Sequence, residues 1–396
     1  MYARTQSRLL LKFRGEYSDH EEGHRMERRE FLSLAAKGAL GATALAACST
    51  GDDDLDGALQ ADDLPTLTWE MATSWPTSLD TIFGGAQTVA DRVTAMTGGK
   101  FTINARAGGE VVPALEILQS TSTNSIDIGH TASYYYRGLA EVVAFGTAVP
   151  FGLTARQQNG WLYYGGGLEM LQEIYAERFD TIQFPAGNTG VQMGGWFNKE
   201  INSLADIQGL RYRIPGLGGV VMSELGATVQ VVAGGEIFQS LQTGAIDAAE
   251  WVGPYDDLQL EFNTVADFYY YPGWWEPGPT LEVQIPLPKW NELPEEYQEV
   301  IKTASAQANV DMMASYDAKN PGAFQTILDD SSVEVRPFPD DVMNAAEEAA
   351  FDLYDRLSGE DEDFRSVFES FNTYRGQVQA WHGIAEKAML NYESQV

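Results

Sequence analysis

A short block occurs twice in this chain, and the repetition limits the architectures open to it. Glu116-Ile117-Leu118-Gln119-Ser120 is followed by Ile126-Asp127, and Glu236-Ile237-Phe238-Gln239-Ser240 by Ile246-Asp247, at the same internal spacing. Each copy reads as a helix that ends and feeds a strand whose tip carries an aspartate. Coincidence within a common helix-to-strand pattern is the plain alternative. Two lobes of similar build, each offering a helix and a strand end to a shared cleft, is the more informative reading, because a cleft between lobes is a common ligand site. The neighbouring periodicity agrees. Leu67 to Ala72 alternates as a strand. Leu79 to Thr97 sets Ile82, Ala86, Val89, Val93 and Met96 on one helical face, and Gly98-Gly99 stops it. Phe101, Ile103 and Ala105 alternate again, Pro113 opens a helix to about Ser120, and Ser125 to Gly129 is another strand. This is the rhythm of an α/β layer protein. The C-terminal third departs from it. Leu293 to Tyr316, Asp341 to Leu357 and Phe364 to Ser394 are helical by pattern, to wrap both lobes or dock on another subunit.

The N-terminal region reads as an address rather than as fold. From Met26 the chain runs through Arg28-Arg29 and Phe31-Leu32 into a weakly apolar stretch from Leu34 to Ala47. That stretch is too short to span a bilayer, which takes about 20 apolar residues. It resembles a twin-arginine export signal. Leu45-Ala46-Ala47-Cys48 resembles a lipobox, whose cysteine is acylated. Cys48 is the single cysteine of the chain, so it has no internal disulfide partner. We expect residues 1–25 to be an extension upstream of the natural start, 26–48 the signal, and 49–64 an acidic tether too poor in large apolar residues to order itself. The remaining body of roughly 330 residues exceeds the usual size of one core, so two domains are expected.

With 57 acidic against 25 basic residues and a formal charge of −32, the chain is unsuited to nucleic acid as a partner. Clusters such as Glu347-Glu348 and Glu360-Asp361-Glu362-Asp363 read as a solvated skin, an arrangement that high salt would screen. Conventional catalytic sets are scarce. The four histidines, His20, His24, His130 and His382, form no zinc-binding pair, and no cysteine ligands stand beside them. Gly216–Gly219 lacks the lysine of a phosphate loop, and no Gly-x-Ser-x-Gly elbow occurs. Any metal here is a hard cation held by oxygens.

The informative stretch is Gly187 to Glu276. Arg211-Tyr212-Arg213 should be a strand ending at Pro215, with both arginines on one face. In so acidic a protein, an arginine at a strand end suits a bidentate carboxylate contact. A surface ion pair is the competing reading, stronger for Arg211 than for Arg213. Glu250-Trp251-Val252-Gly253-Pro254 follows the second repeat and suits a cleft floor. Tyr269 to Glu276 is a dense aromatic run ending in an acid. Most of its rings should be core, and a few facing the cleft would exclude water and strengthen a buried ion pair.

The long block from Gly235 to Pro254 resembles the solute receptors of tripartite ATP-independent periplasmic (TRAP) transporters, and its Glu-Trp-Val-Gly-Pro end is similar to the branch that binds 2-oxo and 2-hydroxy acids. Ala72-Thr73-Ser74-Trp75-Pro76 and Asn188 to Phe197 support the resemblance, which runs from about Leu67 to the C-terminus. It implies an α/β, two-lobed clamp of the periplasmic-binding-protein kind, with mixed sheets, a long connecting helix and a helical C-terminal tail. Residues 65–190 would form the first lobe and 191–278 the second. Residues 279–318 would return to the first lobe, 319–346 to the second, and 347–396 would be the tail. It implies a small organic acid as ligand and the TRAP membrane subunits as partners, with no enzymatic turnover. Arg213 matches the arginine that takes the ligand carboxylate. Gln192, Glu250, the backbone carbonyl of Trp251 and Glu276 match the ligands of a bound Na⁺ or Ca²⁺. Asn188 and a tyrosine of 134–136, Tyr135 or Tyr136 foremost, complete the contacts. A homodimer through an exchanged C-terminal helix and attachment to the membrane surface at Cys48 are further expectations. The rival readings are a secreted glycosidase using Glu250 and Glu276 as paired acids, and a receptor of the ATP-driven class.

Overall fold

Residues 64–394 are described by the structure, a computed structural model. The export signal, Cys48 and the tether up to residue 63 lie outside the described residues.

Alternation produces the expected first strand, β1 (Leu67–Thr73), and the apolar stripe produces helix α1 (Ile82–Met96), which buries Ile82, Ala86, Val89 and Val93. Then follow β2 (Phe101–Arg106), α2 (Ile117–Ser122) and β3 (Ile128–Thr131). α2 starts four residues later than the proline suggests, because a turn closed by the Glu116 N–H on the Pro113 carbonyl (2.9 Å) comes first. β3 is also displaced toward its C-terminus. Asp127, expected within the strand, instead accepts the backbone N–H of Glu70 at 2.9 Å, and pairing with β1 begins at Ile128 opposite Met71. Helices α3 (Ala155–Tyr164) and α4 (Gly167–Phe179) lead to β4 (Thr181–Asn188).

The second half repeats the scheme with shorter strands: β5 (Gly195–Phe197), β6 (Arg211–Arg213), α5 (Gly216–Glu224), β7 (Thr228–Gln230), α6 (Gly234–Gln242), β8 (Ala248–Ala249), α7 (Pro254–Gln259) and β9 (Phe268–Tyr271). The chain then returns through β10 (Thr280–Pro286), a long helix α8 (Glu295–Asp329), β11 (Glu334–Pro337), and the helices α9 (Asp340–Glu360), α10 (Glu362–Ile384) and α11 (Glu386–Glu393). Two mixed sheets result. One has the order β2-β1-β3-β10-β4, the other β11-β9-β5-β8-β6-β7. Each lobe is built on one sheet. β4 leaves the first lobe and β5 enters the second, β9 leaves the second and β10 re-enters the first, and α8 carries the chain across once more to β11, so residues 189–194 and 272–279 are the two crossing segments without a long helix.

One apolar core lies on the outer side of the first sheet, where Met71, Val89, Val93, Phe101, Ile128 and Ile285 meet Tyr297, Ile301, Ala304 and Ala308 of α8. Truncating Phe101 to alanine there costs about 3–5 kcal/mol. The other core runs from the first lobe into the second and under α9 and α10. α8 extends well past Tyr316, where the sequence pattern stops, and runs through Pro321. A proline inside a helix removes one backbone bond. Here Pro321, Gly322 and Asp317 are all exposed, so the break lies on the solvent side of the helix. Among the described residues, no helix is long and apolar enough to cross a membrane.

Candidate functional site

The repeated aspartates are not offered to the cleft, contrary to the sequence reading. They sit at the outer ends of their strands and do the same task twice. Asp127 takes the Glu70 N–H and pairs with Lys289. Asp247 takes the Arg211 N–H (3.0 Å), the Arg211 guanidinium (2.6 Å) and Lys199 (3.1 Å). Arg211 is therefore the surface ion pair, and its hydrogen bonds hold the Asp247 carboxyl below the usual range.

The opposite strand ends meet between the lobes. β6 and β8 run parallel, with Arg213 opposite Ala249, so the next residue of β8, Glu250, emerges beside Arg213. The Glu250 N–H donates to the Arg213 carbonyl at 3.2 Å. The Arg213 Nη1 donates to the Glu250 carbonyl at 3.0 Å and to its carboxylate. Its Nε donates to the Val232 carbonyl at 3.2 Å, and the Trp251 ring lies under the guanidinium, 5.4 Å from centroid to Cζ. Arg213 is 1% exposed, yet its Nη2 has no hydrogen-bond partner. Buried donors are rarely left so.

The crossing segments bring the other groups in. The Gln192 N–H donates to the Glu276 carbonyl (3.2 Å), and the Met193 N–H to the Val252 carbonyl (3.0 Å). These two bonds fasten residues 192–193, 252 and 276 to one another. The Gln192 Nε2 donates to the Thr189 hydroxyl at 3.2 Å, which aims its Oε1 elsewhere, and that oxygen has no partner. Neither has Oε2 of Glu250. The Tyr134 hydroxyl reaches Glu276 across the lobes at 3.5 Å. Burial, and then the repulsion of Glu250, hold the Glu276 carboxyl well above the ordinary range. Burial also raises that of Glu250, with Arg213 pulling against it.

A narrow pocket of about 10 Å³, the space open to the centre of a water-sized sphere, lies beside these atoms. Trp75, Ile82, Tyr134, Tyr135 and Leu281 line it from the first lobe, and Arg213, Trp251 and Val252 from the second, with Thr189 and Gln192 between. All of these but Tyr135 are buried. The sequence-derived residues Arg213, Glu250, Gln192, Glu276, Trp251 and Tyr135 thus converge. Asn188 and Tyr136 do not join them. The Asn188 amide donates to Gly278 (3.2 Å) and Thr280 (3.1 Å) and accepts from the Gly190 N–H (2.8 Å), so it pins the crossing strands. The Tyr136 hydroxyl is engaged with Thr131 at 2.6 Å. Trp75, Ile82 and Leu281 were not singled out from sequence. A tryptophan directly after a strand end, next to Pro76, was the available signal. Its Nε1 donates to His130 Nδ1 at 2.8 Å, and the other ring nitrogen of His130 meets the Ala186 carbonyl at 3.1 Å. Burial lowers the His130 pKa to about 4, so the imidazole is a neutral brace.

Among the described residues, no cluster of three or more His, Cys, Asp or Glu side chains could hold a metal. A different donor set is present here: two carboxylates and an amide oxygen, with the Trp251 backbone beside them. Gln192 Oε1 and Glu250 Oε2 are buried acceptors without donors. Ionising both acids beside one arginine would leave surplus negative charge away from water, which a cation would compensate. The residues fit a hard cation. They do not form the open aromatic groove that a glycoside would need.

Known proteins resemble this chain along most of its length. A family model described as bacterial extracellular solute-binding protein, family 7 (DctP), matches residues 71–361. The monocarboxylate 2-oxoacid-binding periplasmic protein of Nostoc sp. is 51% identical over 369 residues, covering 93% of this chain and 99% of the relative. A TRAP transporter solute-binding protein from Bordetella bronchiseptica superposes with a TM-score of 0.82 at 41% identity, over 84% of this chain and 98% of that one. It is described as a mixed-occupancy dimer with copurified calcium and picolinate in its active site. A TRAP periplasmic solute-binding protein from Pseudoalteromonas atlantica, with bound sodium and pyruvate, gives 0.79 at 36% identity, over 82% of this chain and 99% of that one. With the model spanning most of the folded chain and a relative more than half identical along nearly its whole length, the chain belongs to the DctP family of bacterial extracellular solute-binding proteins.

Proposed function

We propose that this protein is an extracytoplasmic receptor that captures a small monocarboxylate, a 2-oxo or 2-hydroxy acid, together with Na⁺ or Ca²⁺, and delivers it without chemical change to TRAP membrane subunits. One observation carries the reading. One narrow pocket is lined by Arg213, whose guanidinium keeps an unpaired donor, and by Gln192, whose amide oxygen is an unpaired acceptor, while Glu250, bonded to that Arg213, keeps an unpaired carboxylate oxygen of its own. An organic anion satisfies the first and a cation the others. The names of the relatives, with pyruvate or picolinate beside sodium or calcium, point the same way.

In this reading Arg213 pairs with the ligand carboxylate, and Trp251 beneath it and Val232 behind it fix the plane of the guanidinium. Gln192, Glu250, the Trp251 carbonyl and Glu276 would hold the cation, which when bound would offset the charge of the acids and attract the ligand anion. Trp75, Tyr134, Tyr135 and Leu281 exclude water, so the ion pair is stronger than at a surface. The small volume and the apolar wall of Ile82, Leu281 and Val252 favour a short hydrocarbon tail over a second carboxylate.

The test is a thermal-shift and calorimetric panel of pyruvate, lactate, longer 2-oxo acids and dicarboxylates, each with Na⁺, Ca²⁺ or chelator. Pyruvate or another 2-oxo acid should bind at micromolar concentration or tighter in the presence of a cation. Binding of dicarboxylates alone, or of no acid, overturns the proposal.

Export through the twin-arginine signal and acylation at Cys48 belong to the same proposal, supported by the motif and by the family's extracellular setting. Mass spectrometry of the membrane-extracted protein should find a lipid on Cys48, and a free thiol there refutes it. We also propose a homodimer. Trp381, Ile384, Met389, Leu390 and Tyr392 of α10 and α11 are exposed on this chain, an apolar face that a second copy would cover. Light scattering reads the mass, and Leu390→Glu should halve it.

A further inference from the structure

We infer that Asp256 is the tie that holds the two lobes closed, a positioning residue for ligand capture that touches no ligand. The inference rests on the receptor reading above. α7 begins directly after the turn that carries Glu250 and Trp251 into the site, and its first turn holds two adjacent buried acids, Asp256 and Asp257. Their side chains diverge. Asp257 accepts from the Trp196 indole (3.0 Å) and the Tyr269 hydroxyl (2.7 Å), on β5 and β9, so it fastens α7 to its own sheet. Asp256 reaches out of the lobe. One oxygen accepts the Thr81 hydroxyl of the first lobe, and the other the Tyr316 hydroxyl of α8 at 2.7 Å.

Thr81 is the residue before α1, where a threonine ordinarily caps the helix. It makes no side-chain cap bond here, and its hydroxyl is directed across to Asp256 instead. Its neighbour Ile82 lines the ligand cavity. The link is flanked by the Tyr255 N–H donating to Asn320 (3.0 Å) and by Lys319 paired with Asp80 (2.8 Å). Asp256 is fully buried. A buried carboxylate bound by two hydroxyls is stable only while both donors stay in place. Parting the lobes would strip the Thr81 hydroxyl from it and oblige water to enter. The bond to Thr81 therefore exists in the closed form alone, and it adds to closure, and through closure to affinity.

The test compares Thr81→Val and Tyr316→Phe with Tyr175→Phe. Tyr175 also donates at 2.7 Å to a buried carboxylate, Glu282, but both belong to the first lobe. The probe is pyruvate with Ca²⁺, read by calorimetry and stopped flow. The two tie variants should each bind about 5- to 30-fold more weakly, chiefly through faster dissociation, whereas Tyr175→Phe should lower the melting temperature and leave affinity within about two-fold. Unchanged affinity in the tie variants, or equal weakening in all three, overturns the inference. Small-angle scattering of the ligand-free protein separates this from failure of the receptor reading. Even where pyruvate does not bind wild type, the Thr81→Val/Tyr316→Phe double variant should be more open than wild type, and identical scattering curves overturn the tie.

Discussion

The two copies of the repeat share a frame and differ in what they leave unsatisfied. In both, an aspartate at the outer strand end takes a backbone N–H from the neighbouring parallel strand and pairs with basic side chains. Three residues further on, the first copy carries His130 and the second Glu250. The neighbouring strand supplies Ala72, opposite Gly129, in the first copy, and Arg213, opposite Ala249, in the second. His130 is neutral, with both ring nitrogens engaged. Glu250 and Arg213 are charged groups that still lack partners for one atom each. The same backbone thus makes a wall in one lobe and a site in the other. What separates them is not shape but which copy is left with bonding capacity that only a ligand can use.

Removing the charge from the reactive copy gives the largest expected effect. Arg213→Ala should weaken binding of a 2-oxo acid at least about 100-fold, because the ligand carboxylate is left unpaired in a dry cavity. Calorimetry checks this, and an affinity near wild type breaks the contrast. Glu250→Gln comes next. Affinity should fall about 10-fold or more, and the gain on adding Ca²⁺ or Na⁺ should shrink, read as the difference between titrations with and without cation.

On the satisfied copy the effect should be smaller. His130→Ala frees the Trp75 indole and should weaken binding only about 3- to 10-fold, with a lower melting temperature from the cavity it leaves. Affinity loss equal to that of Arg213→Ala would show that the wall is part of the site. Smallest for binding are the outer aspartates. Asp247→Asn should leave affinity unchanged and cost about 1–3 kcal/mol of stability at neutral pH. Its pKa is depressed in the fold, so the stabilisation is present above the unfolded value and lost as pH falls below it. Denaturant melts at pH 7 and pH 3 should show the gap between variant and wild type narrowing at the lower pH.

Much of this was legible in the sequence. Alternation and the apolar stripe marked β1, α1 and β2, and the resemblance around Glu250-Trp251 brought Arg213, Gln192, Glu276 and Tyr135 into one set. The failures have a common cause. Asn188, Tyr136, Asp127 and Asp247 are polar residues beside the right motifs, and each is consumed by a bond to backbone or to a neighbour that only the folded register creates. Sequence shows that a group can bond, not whether the fold has already used it. The helix read as ending at Tyr316 runs on to Asp329, because a proline on the exposed side of α8 does not end it.

The buried cavity also bears on time. With nearly every lining side chain out of contact with solvent, release of a captured molecule would require the side chains packed over it to move, the Trp75–Trp251 pair among them, whose ring centroids are 6.4 Å apart. Escape is then gated: the dwell time of the cargo equals the waiting time for the jaws to part, however concentrated the surrounding pool. A receptor of this kind would hold its load through diffusion to the membrane, and its partner would have to work on the gate rather than compete for the cargo.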